Sequence, residues 1–271
     1  MRSVGVLLAL VLLAPACGGP ATTARDPLAG DYVAAVSESA VPIAERLTAA
    51  FAKQHPGMVW TVKDLGSAAT IALISGGEAD IGFLSREVTV ADEKVVQSLG
   101  IGYTAQVLIV HPSNPVTALS KEQLRGIFSG VITDWSEVGG TRGPILVALR
   151  AETSPTRTAL DPLLRPSGGS YRADAITTSD ADAMVNAVAA APRAIGMVSA
   201  LHLMGLANPP RAIAIDGIAP TKANVANGTY VYRRPITLVL RANTSLVRPG
   251  AKQFRDWVHS EEGQRILREL F

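Results

Sequence analysis

Short runs of β-branched residues alternate with amphipathic helical stretches along the chain from Tyr32 onward. The first unit shows the pattern, because a strand at 32–36 precedes a helix at about 40–54 whose apolar residues recur at i, i+4 and i+8. Such alternation is typical of an α/β fold with a largely parallel sheet between helices. The sequence therefore predicts this fold class.

The same rhythm continues to the C-terminus and divides the chain into two lobes. The sharpest interruption is His111-Pro112-Ser113-Asn114-Pro115, where we expect the chain to cross from the first lobe to the second. A strand at 236–240 should carry it back. Two crossings create a cleft lined by strand ends and helix starts, where open α/β sheets bind ligands. Other strands are predicted at 59–63, 79–84, 103–111, 145–149, 195–198, 212–215 and 230–232, and a C-terminal helix pair at about 251–270.

The first residues carry the pattern of a signal peptide. Arg2 precedes an apolar run at 4–13, and small residues follow as far as Cys17. The run is shorter than the ~20 residues that a membrane span needs. Residues 1–16 are therefore predicted to be a signal peptide; a buried N-terminal helix is the alternative.

Cys17 is the only cysteine of the chain, so it has no partner for an internal disulfide. The segment 13–18 resembles a bacterial lipobox, although Ala14 stands where leucine is usual. This resemblance implies that Cys17 is acylated and anchors the mature chain to a membrane, with residues 17–30 as a tether. An ordinary signal peptide with a free thiol is the alternative.

Composition and motifs disfavour several classes of function. The net charge is +2 and the arginines are dispersed without a basic tract, which argues against a nucleic-acid partner. The sequence contains no G-x-S-x-G motif, no His or Cys cluster with metal spacing, and only four scattered histidines. We therefore expect no catalytic residue, metal or cofactor.

Three loops share one design, in which a strand ends, hydroxyl or small residues follow, and a helix begins. They are 37–40, 66–70 and 150–156. Helix N-termini present free backbone N–H groups and a positive dipole end, so converging helix starts can hold a small anion. Arg150 adds a planar fork of donors. The alternative for each loop is helix capping without ligand contact, and for Arg150 a structural ion pair.

Several strings resemble, in order, segments of the phosphate-type solute-binding proteins of ABC importers. Residues 79–86 are similar to their aDIGxxSR segment, and 124–140 to their IfsG.itdW..vGG stretch. This resemblance implies a two-lobed periplasmic-binding fold, each lobe a mainly parallel sheet flanked by helices, with two hinge crossings. The implied lobes are 31–110 with 232–271, and 111–231. Further matching strings are Asn114-Pro115, 194–197, 215–217, 227–235 and 260–264.

The resemblance also implies which residues contact the ligand. The candidates come from all three loops and from the strand end before residue 86. They are Ser37, Ser39, the N–H group of Ala40, Ser67, Ser85, Arg86, Arg150, Ser154 and Thr156.

Departures from the family pattern bear on the ligand. Val36, Glu38, Ala68, Thr70 and Pro155 stand where the family usually has glycine or a hydroxyl residue, and proline supplies no N–H.

Two acidic side chains belong to the loops of the expected site, one at a departure from the family pattern and one that matches it. Phosphate near neutral pH carries a proton that sulfate lacks, so an acceptor in the site could reject sulfate. Glu38 is our candidate acceptor. The equal alternative is that Glu38 only favours its helix start through the helix dipole and faces the solvent. Glu152 is a second acid, which the resemblance assigns to orienting Arg150.

These observations predict a monomeric, lipid-anchored protein outside the cytoplasmic membrane of a bacterium. It should capture inorganic phosphate and deliver it to the permease of an ABC importer. The alternatives are the same fold with another oxyanion as ligand, or a sensory or interaction role. An enzymatic function, as a phosphatase-like hydrolase, is a further alternative that the sequence disfavours.

Overall fold

A computed structural model describes residues 26–165 and 168–271. In this part of the chain, most strands join one mixed sheet in the order β2-β1-β3-β11-β4-β8-β6-β7, with β9 paired to β4, while β5 and β10 form a separate pair. The strands are β1 (Gly30–Val36), β2 (Met58–Asp64), β3 (Ile81–Leu84), β4 (Val96–Val110), β5 (Ala118–Leu119), β6 (Leu146–Arg150), β7 (Ile176–Thr178), β8 (Ala194–Ser199), β9 (Arg211–Ala212), β10 (Ala214–Ile215) and β11 (Arg233–Arg241).

Helices cover both faces of this sheet, and the predicted α/β class is confirmed. Strands β2, β1 and β3 run parallel at one end, and β8, β6 and β7 run parallel at the other. The helices are α1 (Val41–Ala52), α2 (Ser67–Gly76), α3 (Val90–Glu93), α4 (Lys121–Ser129), α5 (Pro155–Leu164), α6 (Ala181–Ala190), α7 (Lys222–Ala226), α8 (Pro249–Val258) and α9 (Glu261–Leu270).

Strand β4 is longer than the sequence predicts and belongs to both halves of the sheet. Its first part pairs antiparallel with β11, and its second part pairs antiparallel with β8. The glycines near its middle concealed this continuity, because glycine usually interrupts a strand. Gly102 has a φ of 151°, and a Cβ there would lie 2.3 Å from the Phe271 ring. Glycine thus allows the C-terminal residue to pack on the strand.

Two main hydrophobic cores lie on either side of the antiparallel centre. The first core joins β1, β3 and β11 to α1, α8 and α9, and its largest buried side chains include Phe51, Phe83 and Phe254. The second core packs α4, α5 and α6 around β4, β6 and β8, with Phe128 and Trp135 among its members. Leu201 directly follows β8, a strand of the second core, but its side chain is buried in the first core. The two cores are therefore connected by this side chain as well as by the strands that cross between them.

A local signal in the sequence marks the start of α4. Ser120 and Gln123 have the spacing that predicts a capping box, and the structure contains that box. The segment at 230–232, in contrast, is not a strand. Tyr230 is buried and its hydroxyl donates to the Gln106 carbonyl at 2.9 Å, so its ring anchors a loop against β4.

No helix among the described residues is both long and apolar enough to cross a bilayer. The predicted signal peptide at 1–16, Cys17 and the tether as far as residue 25 lie outside the described residues.

Candidate anion-binding site

The three predicted loops follow strands β1, β2 and β6. The first is a short 3-10 helix, Glu38–Ala40, that leads into α1. The second starts α2 after Gly66, whose φ is 78°. The third starts α5, which packs against the 3-10 helix Glu38–Ala40. The first and third loops therefore meet, although more than a hundred residues separate them in sequence.

Arg150 lies at this meeting point and is almost completely buried. Its side chain is 2% exposed. Its Nη2 group donates to a carboxylate oxygen of Glu38 and, at 3.4 Å, to the Ser179 carbonyl. Its Nε and Nη1 groups have no hydrogen-bond partner among residues 26–165 and 168–271. A buried guanidinium with free donors is costly unless a ligand accepts them.

Three of the other buried groups with this property belong to the first or third loop or contact the third. Within the described residues, the Ser39 hydroxyl, the Ser154 hydroxyl and the Gln106 amide nitrogen also find no partner. Ser154 stands at the N-cap of α5, yet its side chain makes no capping bond. Capping therefore does not explain this serine. We call these three groups, together with Nε and Nη1 of Arg150, the open donors.

Gln106 is a candidate that sequence reasoning missed. It lies in β4, is fully buried, and its side-chain oxygen accepts a hydrogen bond from Thr156 at 2.7 Å. That bond directs the amide oxygen to Thr156 and leaves the NH₂ group as a donor. The only signal in the sequence is a glutamine within an otherwise apolar strand.

Glu38 lies in the cleft, in contrast to the solvent-facing alternative. Its side chain is 14% exposed and contacts Arg150. Its carbonyl accepts a hydrogen bond from Nε2 of His202 at 3.1 Å. The 3-10 turn is closed by a 2.7 Å bond from the N–H group of Ala40 to the Ser37 carbonyl, so that predicted donor is engaged within the protein.

Glu152 lies farther from the cleft than Glu38. Its side chain is 87% exposed and contacts Arg157 at 3.3 Å. Arg157 in turn donates to the Arg150 carbonyl at 2.9 Å. Among the described residues, Glu152 contacts Arg157 and not the Arg150 guanidinium, so any orienting effect on Arg150 is indirect.

The remaining predicted residues lie on the first-core side. The Ser37 and Ser85 hydroxyls are buried and hydrogen-bond to each other at 2.9 Å. Ser67 is the first residue of α2 and is partly exposed. Arg86 donates at 2.6 Å to Asp92, so its guanidinium is held by that carboxylate.

Arg234 was also missed and links the two sides of the cleft. Its guanidinium donates to the Ser85 carbonyl and, at 3.1 Å, to the Pro155 carbonyl. Burial, with a smaller effect from the charge of Arg86, lowers the pKa of Arg234. Arg234 thus connects the segment after β3 with the start of α5, which makes it a positioning residue for the cleft.

Acidic groups at the rim complete the electrostatics. Partial desolvation, followed by the charge of Glu38, raises the pKa of Asp64, which ends β2 and is exposed at the rim. A hydrogen bond from the Ser179 hydroxyl, followed by one from the Ala183 N–H group, lowers the pKa of Asp180. A buried cation thus faces a cleft with several carboxylates.

Comparison with known proteins gives consistent matches. Residues 21–262 match the family described as the PBP superfamily domain. The chain is 26% identical to the phosphate-binding protein PstS of Bacillus subtilis, over 97% of this chain and 89% of that protein. It is 22% identical to PstS of Borreliella burgdorferi, over 86% of each.

Solved structures agree with these matches. An X-ray structure with bound phosphate from Clostridium perfringens, assigned to a phosphate ABC transporter as its substrate-binding protein, aligns with a TM-score of 0.75. The identity is 28%, over 89% of this chain and 97% of that one. An ABC-type phosphate transport receptor from Vibrio cholerae aligns with a TM-score of 0.65 and 27% identity, over 88% of this chain and 98% of that one.

Proposed function

Because the chain belongs to the PBP superfamily, we propose that it is an extracytoplasmic solute-binding protein that captures inorganic phosphate and delivers it to an ABC importer. The relatives named as phosphate-binding proteins and the neighbour solved with bound phosphate support this proposal. The relative is a binding protein by name and the neighbour is described as the substrate-binding protein of a transporter, which supports binding without turnover.

The observation that carries the proposal is the set of open donors around Arg150. Phosphate offers several acceptor oxygens in a tetrahedral arrangement, so one ion can accept hydrogen bonds from several directions. Charge-assisted bonds of this kind are shorter and stronger than neutral ones. The nearby start of α5 adds the positive end of a helix dipole.

The proposed site residues are those that border this cleft. We assign Ser39, Arg150, Ser154 and Thr156 to its centre and add Gln106, on the support of their unpaired donors and of the bond between Thr156 and Gln106. Ser37, Ser67, Ser85, Arg86 and the loop at Ala40 remain proposed contacts on the first-core side. Glu38 remains the candidate acceptor for the phosphate proton.

The lobes at 31–110 with 232–271 and at 111–231 also remain a proposal. The two cores and the ion pair between Glu38 and Arg150 support it, because a ligand between two lobes would contact both. A cleft of this kind allows the protein to close around an ion. The importer permease would then recognise the ligand-loaded form.

Anchoring through acylated Cys17 belongs to the same proposal. An acyl chain would keep the protein beside the permease at the membrane surface.

Calorimetric titration of the purified mature protein with phosphate, sulfate, arsenate and nitrate tests the proposed function. We expect stoichiometric binding of phosphate, with sulfate weaker. Preference for another oxyanion would favour the alternative of an altered ligand, for which Glu38 and Pro155 are the relevant departures. Absence of binding for every anion would contradict the proposal.

A further inference from the structure

The Arg150 guanidinium already has an oxyanion beside it, and that oxyanion comes from the protein. The Glu38 carboxylate accepts a hydrogen bond from Nη2 of Arg150. Glu38 follows β1, which belongs to the first core, whereas Arg150 ends β6, which belongs to the second core. The ion pair therefore crosses the same cleft that the proposed ligand would enter.

The Glu38 carboxylate is placed there by its surroundings. The side chain is 14% exposed, and His202 donates to its backbone carbonyl at 3.1 Å. The 3-10 turn that carries Glu38 is closed by the bond from Ala40 to Ser37. A carboxylate held in this way differs from a mobile surface side chain, because little conformational freedom is lost when it pairs with Arg150.

The ion pair between Glu38 and Arg150 stabilises the ligand-free protein and also hinders the binding of an anion. A buried guanidinium without a counter-ion is strongly destabilising, so Glu38 stabilises the protein before a ligand arrives. An incoming anion must then displace Glu38 from Nη2, or bind beside it against charge repulsion. A tethered group acts at an effective concentration in the mM range for a short connection. Glu38 is therefore a strong competitor for weak anions.

We infer that Glu38 is an internal competing ligand of Arg150, which sets the affinity of the site and excludes carboxylates and other weak monoanions. The inference rests on the proposed function, because it concerns the same cleft. A small carboxylate offers Arg150 nothing that Glu38 does not already supply. A tetrahedral oxyanion can also accept from the other open donors, and only such a ligand gains enough to displace Glu38.

Other charges around the pair do not replace Glu38 in this role. Asp64 and Asp180 are near enough to influence one another's ionisation, but within the described residues Arg150 donates no hydrogen bond to either carboxylate. These two carboxylates would repel any anion, whereas Glu38 would both repel an anion and occupy its donor. The two effects can be separated, since only occupation of the donor also stabilises the ligand-free protein.

The test is Glu38→Gln in the mature protein, measured by thermal unfolding and by calorimetric titration with phosphate and acetate. We expect the Tm of the ligand-free variant to fall by about 3–5 °C, because Arg150 loses its counter-ion. Phosphate should bind at least about fivefold more tightly, and acetate should bind measurably only to the variant. Glu45→Gln is the matched control. Glu45 lies exposed on α1, and its variant should change neither quantity.

Each other outcome has a distinct meaning. Tighter phosphate binding with an unchanged Tm would overturn the inference and indicate simple repulsion. Unchanged phosphate binding in the variant would also overturn it, while leaving the proposed function intact. Weaker phosphate binding would overturn it as well and would favour Glu38 as the acceptor of the phosphate proton, the role that predicts the opposite sign. Binding by the variant alone would support the inference and contradict phosphate capture by the natural protein. Absence of phosphate binding by both proteins would overturn the inference together with the proposed function.

Discussion

Replacement of Arg150 by alanine removes a buried cation together with two of the open donors, its Nε and Nη1 groups. In the structure Nε and Nη1 have no partner among the described residues, while Nη2 is held by Glu38. A hydrogen bond to a charged group contributes about 1.5–3 kcal/mol. Two such bonds to a bound anion give roughly 3–6 kcal/mol, part of which is offset by the loss of hydration on both sides.

The net cost of Arg150→Ala should therefore exceed ~2 kcal/mol, which corresponds to a rise in the dissociation constant of roughly 30-fold or more. The variant also leaves Glu38 without its cation, so the anion would meet an unpaired carboxylate. Arg150→Lys should be intermediate, because lysine keeps the charge but cannot donate two parallel hydrogen bonds.

Titration calorimetry with phosphate at constant ionic strength measures the effect. Arg172→Ala is the matched control, since Arg172 is also a largely buried arginine, 12% exposed, and its carboxylate partner Asp174 lies outside the three loops. Thermal unfolding of each variant shows whether it is folded at the temperature of the titration. A dissociation constant that is the same for Arg150→Ala, Arg172→Ala and the natural protein would remove Arg150 from the site.

Four other changes test separate parts of the structure. Cys17→Ser should move the protein from the membrane fraction to the soluble fraction, because acyl chains supply ~0.8 kcal/mol per buried CH₂; unchanged fractionation would count against acylation. Gln106→Leu should weaken phosphate binding by about tenfold, as expected for the loss of one buried donor, and an unaltered affinity would show that its amide does not reach the ligand. Asp64→Asn should strengthen sulfate binding by about fivefold, since it removes a charge worth about 1 kcal/mol at the rim. Asp92→Asn should lower the free energy of unfolding at neutral pH by about 2 kcal/mol. The hydrogen bond from Arg86 lowers the pKa of Asp92, so its stabilisation is complete above about pH 4 and is lost as the pH falls further; a difference that did not shrink in acid would contradict this origin.

Much of the fold could be predicted because its signals are local. The strand at 32–36 and the helix after it follow from apolar periodicity, and the structure extends the strand by only two residues, to Gly30–Val36. The capping box at Ser120 and Gln123 marks the start of α4 directly. Strand β4 was harder, since one of its central glycines, Gly102, is explained only by Phe271, which is distant in sequence.

The candidate site divides in the same way. Arg150, Ser154 and Thr156 could be proposed because they follow a strand and begin a helix, where parallel sheets place their ligand groups. Gln106 could not, because it lies within a strand and is recognised only by its bond to Thr156. The pairing of Glu38 with Arg150 joins residues that are 112 positions apart. No sequence pattern specifies such a contact, because it depends on how the two cores approach each other.

The departures from the family pattern become consistent when the donors are considered by type. Pro155 has no N–H group, and the N–H group of Ala40 is used in the 3-10 turn, so two backbone donors are lost to the site. The open donors are instead side-chain groups, including Ser154 and Gln106. A backbone N–H donor is retained when a residue is replaced by any other except proline. A side-chain donor, in contrast, is lost with a single substitution. A site built in this way can change its affinity or its preferred anion by single replacements while the fold stays the same, as fold and ligand are then specified by different residues.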